Sequence, residues 1–236
     1  NGRDRKMRAP SRYLATALIG AWMGMGSGGA EEVAHNSVEA ESNAEGGKGS
    51  VIIVENFDRY PHKVGRFPDE WQGRTGFWQR RTRKELDLYY TMQKEGDDVF
   101  LRAETVGRAT NAGCRADVDI RVHQILRWSW RVHRLPEGGN EKRRSKNDSG
   151  ATVRLVFGGW PIPRTFKYVW STSLPVGTQT QSPLSGRTKT VVLESGEAKL
   201  GEWVYEEVNV YEDYVRAFGK EPDRVRAFAI LTDGDN

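Results

Sequence analysis

The sequence predicts an all-β fold, an antiparallel β-sandwich or jelly roll with one or two short helices. Three observations lead there. From residue 51 onward, short runs rich in Val, Ile, Thr and aromatic residues recur at regular spacing between Gly, Pro, Asp and Asn. Almost nothing between those runs has the length or period of a crossover helix. The run 125–133 alternates strictly, with Leu126, Trp128, Trp130 and Val132 on one side and Arg127, Ser129, Arg131 and His133 on the other. That is the period of a strand with one dry face and one wet face.

Read from the start, the chain opens with Arg3, Arg5, Lys6, Arg8 and Arg12, then the apolar stretch 13–25 (YLATALIGAWMGM), then small residues ending at Ala30. Basic, apolar and small segments in that order form an export signal peptide, expected over 1–30. Such a leader directs a protein to the periplasm or the cell exterior. The stretch is too short for a membrane span and is followed by acid, so no integral membrane segment is expected after cleavage. Residues 31–50 (EEVAHNSVEAESNAEGGKGS) have little to bury and read as a flexible tether. The sandwich domain is expected over 51–236.

Within it, strands are expected at 51–54, 75–80, 86–92, 99–105, 125–133, 152–158, 166–171, 189–194, 203–210 and 224–232. Two segments have helical character. One is 117–124. The other is 211–218, where Tyr211, Tyr214, Val215 and Phe218 share a face, Gly219 is placed to cap and Pro222 stops continuation.

The formal charge of +4 with a pI near 9.2 suggests a phosphate-rich partner until the charges are located. Five of the 36 basic residues and one of the 32 acidic residues precede residue 31, which leaves 31 of each sign afterwards. A neutral domain has no global pull toward nucleic acid, and none is expected as a partner. The single Cys114 cannot form an intramolecular disulfide and reads as a small packed side chain.

The chemistry-bearing candidates are few. Arg127, Arg131 and His133 form the polar stripe of the alternating strand. In 203–210, Val204, Val208 and Val210 share a face with Glu206, while Trp203, Tyr205, Glu207 and Asn209 share the other. If the valines face the core, Glu206 needs a cation or several donors. Glu206, Glu207 and Asn209 are candidate ligand contacts. Trp160 and Trp170 are candidate sugar-stacking rings, set against the equally common core role. Lys142–Lys146 (KRRSK) forms a basic loop. The histidines His35, His62, His123 and His133 have no metal-binding spacing, and no nucleophile elbow, phosphate loop or C-x-x-C is present. No catalytic motif is recognised and no cofactor is required.

Several ordered segments carry a family resemblance: 203–222 (WVYEEVNVYEDYVRAFGKEP), 229–236 (AILTDGDN), 168–178 (YVWSTSLPVGT), 147–157 (NDSGATVRLVF) and 126–132 (LRWSWRV). The opening Phe57, Asp58 and Pro68 to Trp71 belongs to the same set. Together they resemble a family of uncharacterised exported bacterial proteins, domain of unknown function 3047. The layout is similar to carbohydrate-binding and galactose-binding-like jelly rolls. That similarity implies a structural calcium held by Glu55 or Asp58 with Asp233 or Asp235, oxygen ligands suited to a hard cation. The family pattern runs on past Asn236 through a helical turn and a strand, so either the sequence is a fragment or a sheet edge is left unpaired.

Three functions are consistent with these residues. The first is a non-catalytic module that binds a glycan or cell-envelope saccharide. The second is a polysaccharide hydrolase or lyase using Glu206 or Glu207. The third is a structural envelope protein with protein partners.

Overall fold

The structure, a computed structural model, describes residues 14–26, 51–57, 64–75, 79–80, 82–106, 109–158 and 162–233, the first of these by backbone alone. In chain order the elements are β1 (Leu14–Gly26), β2 (Val51–Glu55), β3 (Gln72–Thr75), β4 (Gln79–Arg80), α1 (Arg83–Leu86), β5 (Tyr90–Glu95) and β6 (Asp98–Val106). Then come β7 (Ala109–Val118), β8 (Ile125–Arg134), β9 (Ala151–Phe157), β10 (Arg164–Ser171), β11 (Gln179–Gln181) and β12 (Thr188–Ser195). Last are β13 (Val204–Asn209), α2 (Val210–Phe218) and β14 (Val225–Asp233).

The strands form two sheets, as an all-β sandwich requires. The first has the order β13-β8-β1-β6-β5, with β2 paired to β1. The second runs β11-β12-β10-β9-β14-β7-β3-β4. The chain changes sheet at β2–β3, β4–β5, β6–β7, β7–β8, β8–β9, β12–β13 and β13–β14, so neither sheet is a simple meander. Pairing is antiparallel except between β10 and β12, which run parallel because β11 and the loops around it return the chain to the same end.

Alternation in β8 holds: Leu126, Trp128, Trp130 and Val132 are buried and the intervening residues are not. Trp128 and Trp130 meet edge-on at 5.4 Å, Trp128 packs on Tyr168 at 5.5 Å and Trp130 on Trp170 at 6.0 Å. These rings from facing sheets fill the centre of the core. At its far end Tyr214 of α2 packs on Phe157 at 4.6 Å.

The helix over 211–218 is found as α2. Asn209 Oδ1 accepts from the Glu212 backbone N–H at 3.1 Å, and Gly219 closes the helix at φ 67°, donating to Val215 O at 2.8 Å.

Three expectations are corrected. Residues 117–124 are not helical. β7 continues to Val118, and Asp119 accepts from the Arg121 backbone N–H at 3.0 Å, which holds the next residues in a turn. The run 86–92 is divided: α1 ends at Leu86 and the strand begins at Tyr90. Glu85 accepts from the Thr82 N–H at 2.9 Å, the reciprocal cap that starts this short helix. The span 75–80 joins the end of β3 to β4, two strands that pair antiparallel rather than one continuous strand, with 76–78 outside the described residues. β7, unexpected from its polar sequence, lies between β14 and β3. It passes so close to β14 that a Cβ on Gly113 would stand 2.5 Å from Phe228 O.

The apolar stretch of the leader-like segment forms β1, between β6 and β8. Cleavage after Ala30 would take this strand out of the sheet.

Candidate functional site

The outer face of the first sheet gathers the polar stripe of β8 with residues of β13 and of the β5–β6 hairpin. Register sets Tyr205 opposite Ser129 and Glu207 opposite Arg127. Arg127 Nε donates to Glu207 Oε2 at 2.6 Å. Two same-face positions along β8, Arg131 Nη2 donates to Glu95 Oε2 at 2.7 Å, and its guanidinium lies 4.7 Å from the centre of the Trp203 ring. Trp203 meets Phe100 edge-on at 5.5 Å. A planar cation is thus held between a carboxylate and an indole, an arrangement that fixes its orientation. Arg131 Nε is buried without a hydrogen-bond partner among the described residues.

Beside this cluster Trp203 is 39% exposed and Tyr205 56% exposed, which leaves two aromatic surfaces available to a ligand. The Arg131 hydrogen bond and charge hold the Glu95 carboxyl below its ordinary range. Part burial, with the charges of Arg131 and Arg102, lowers His133. These effects bias the His133 imidazole toward its neutral form.

Glu206 lies on the opposite side of β13. Its Oε1 accepts from Trp130 Nε1 at 3.1 Å, while Lys199 Nζ nearby is bonded to Glu194 at 2.6 Å. Burial, and then the charge of Glu194, push the Glu206 carboxyl up to about 7, against the opposing effects of Trp130 and Lys199. The expected partner is thus an indole N–H at the core edge rather than a direct ion pair.

The remaining candidates fall elsewhere. Asn209 caps α2. Trp170 is fully buried and donates to Gly196 O at 3.0 Å, so it belongs to the core. Glu55 is buried and accepts from Trp71 Nε1 at 2.8 Å and from the Phe57 N–H at 2.9 Å, tying the end of β2 to the segment before β3. Asp58, Trp160 and Asp235 lie outside the described residues, as does the side chain of Asp233. Among the described residues no group of three or more His, Cys, Asp or Glu is placed to hold a metal ion. The basic loop 142–146 is anchored beneath by Glu141, a buried carboxylate that accepts from Ser149 Oγ and Ser171 Oγ at 2.7 Å each.

Sequence reading gave no role to Glu95 and Phe100, and treated Trp203 and Tyr205 only as neighbours of Glu207. The shared face of Trp203, Tyr205 and Glu207 was legible in the alternation of β13. Their pairing with β8, and the arrival of the hairpin carrying Glu95, depend on long-range topology.

A two-sheet all-β domain with an arginine–aromatic face at one edge is the class that fold and site define. Within it, the chain belongs to the family described as protein of unknown function DUF3047, whose model matches residues 77–236. Comparison with curated proteins gives no match. No helix among the described residues is long and apolar enough to cross a membrane.

Proposed function

We propose that this is an exported protein whose outer face at β8 and β13 binds a saccharide of the cell envelope or its surroundings. The observation that carries the reading is Arg131, fixed between Glu95 and Trp203 beside the exposed ring of Tyr205. Sugar rings offer apolar C–H faces that stack on indole and phenol, and hydroxyls that take hydrogen bonds from oriented charged groups. Arg127, Glu207 and His133 add such groups on the same face. The export half of the reading rests on the basic, apolar and small segments of residues 1–30.

A glycan-array screen of the purified chain, with and without calcium, tests the binding reading. Binding to one saccharide class that is lost in Trp203→Ala and Arg131→Ala supports it. A blank array with a folded protein overturns it. The hydrolase or lyase reading is favoured by one observation, the Glu206 carboxyl at about 7 beside Glu194. Release of reducing ends or unsaturated products from polysaccharide, abolished in Glu206→Gln, is its test.

A further inference from the structure

Among the described residues, the first sheet is joined across its middle by β1 alone. β8 has β13 on its other side, and β6 has β5. Ala15, Ala17 and Ile19 of β1 are in register with Thr105, Ala103 and Leu101 of β6, all three buried. On the other side Ala17 and Ile19 are in register with Val132 and Trp130 of β8, also buried. β2 takes the remaining edge over residues 23–26 and has no other strand partner among the described residues.

Remove β1, and the sheet becomes two separate two-stranded ribbons, β13–β8 and β6–β5. Their facing backbone groups lose their ladder partners. Ribbons of two strands are marginal alone, and unpaired backbone at the edge of a core is costly. On the outer face the ribbons stay linked through Arg131–Glu95 and Trp203–Phe100, contacts at one end of the gap.

We propose that the gap between β6 and β8 is a strand-accepting slot and that its occupant is the apolar segment Leu14–Gly26. The same residues that resemble an export leader thus complete the domain they precede. A polypeptide suits the slot when it is extended, apolar and antiparallel to both neighbours, as β1 is. The match is imperfect, since the ladder with β8 shifts register between Thr16 and Ala17 and again between Ile19 and Met23. An occupant with such breaks is exchangeable for a strand of better register. The inference concerns the sheet interior, and is independent of whether the outer face binds saccharide.

The test uses the full chain with a specific protease site placed in the tether 31–50 and cut after folding. The slot predicts that the N-terminal fragment co-elutes with the domain on gel filtration. It also predicts slow hydrogen exchange in β6 and β8, retained when excess synthetic peptide of residues 12–27, isotopically labelled, replaces the fragment. If the fragment is forced off, the melting temperature should fall by more than about 5 °C or the domain should self-associate. Release of the fragment with unchanged melting and unchanged exchange in β6 and β8 overturns the proposal. Ala17→Pro is the second arm. In the uncut chain it should reproduce the lost protection, because proline cannot donate to a central ladder, and an unaltered exchange pattern there would also overturn it.

Discussion

Glu206 Oε1 accepts a hydrogen bond from Trp130 Nε1 at 3.1 Å, which ties an edge strand to a ring at the centre of the core. Burial is the larger influence on this carboxyl and holds it at about 7 rather than 4.5. The folded state therefore binds a proton that the unfolded chain has released between those values. For a raised acid, this contribution favours folding below about 4.5 and fades as pH rises through about 7. Comparing Glu206→Gln with the parent chain isolates it. The variant should gain stability relative to the parent by on the order of 1 kcal/mol at pH 8, part exposure having reduced the full effect, and nothing at pH 4. Urea melts at several pH values read the difference, and a pH-independent difference would refute the assignment.

Trp130→Phe should act on the same carboxyl by another route. It keeps a ring against Trp128 and Trp170 and removes the N–H that favours the charged form. The Glu206 titration, followed by carboxyl carbon NMR, should move further up. Trp130→Ala, by contrast, opens a cavity in a fully buried aromatic cluster and should cost about 3–5 kcal/mol in chemical denaturation.

These residues also show what could be read from one sequence. The burial of Trp128 and Trp130 followed from alternation in β8, because a strand on one side of a core has a period of two. The cap at Gly219 was legible because capping chemistry is local, whereas Asn209, read as a ligand contact, is the N-cap of α2. Glu95 was not, because nothing near it in sequence records that the β5–β6 hairpin returns to Arg131. β7 escaped notice because a strand rich in Ala, Gly, Asn and Asp lacks the propensity signal, and its neighbours β14 and β3 supply its order. The stretch 13–25 carried two compatible patterns, leader and strand. Apolar length alone does not separate them.

Both ends of α2 can be tested independently. Asn209→Ala removes the acceptor for the Glu212 N–H and should cost about 1 kcal/mol. Gly219→Ala places a side chain at φ 67° and should cost a comparable amount, about 1 kcal/mol. The two sites flank the helix without sharing a partner, so the double variant should be near the sum in thermal melts. The saccharide binding proposed for Trp203 and Tyr205 should survive Gly219→Ala, which lies at the far end of the helix from β13.

Glu141 offers the sharpest test of a buried polar group. Its two carboxylate oxygens each accept one serine hydroxyl, from Ser149 before β9 and from Ser171 at the end of β10. Ser171 Oγ in turn accepts from the Leu174 N–H at 3.1 Å, so the carboxylate organises the turn that follows β10 as well as the base of the loop 142–146. Glu141→Leu removes the acceptor but leaves two buried hydroxyls without their partner, and should cost about 2–4 kcal/mol. Glu141→Gln keeps one acceptor oxygen and presents an amide to the other serine, whose hydroxyl can rotate to accept, so its cost should be less than half as large. The comparison separates geometry from charge: if both variants lose equal stability in urea melts, the negative charge rather than the hydrogen-bond pattern holds this loop to the sheet.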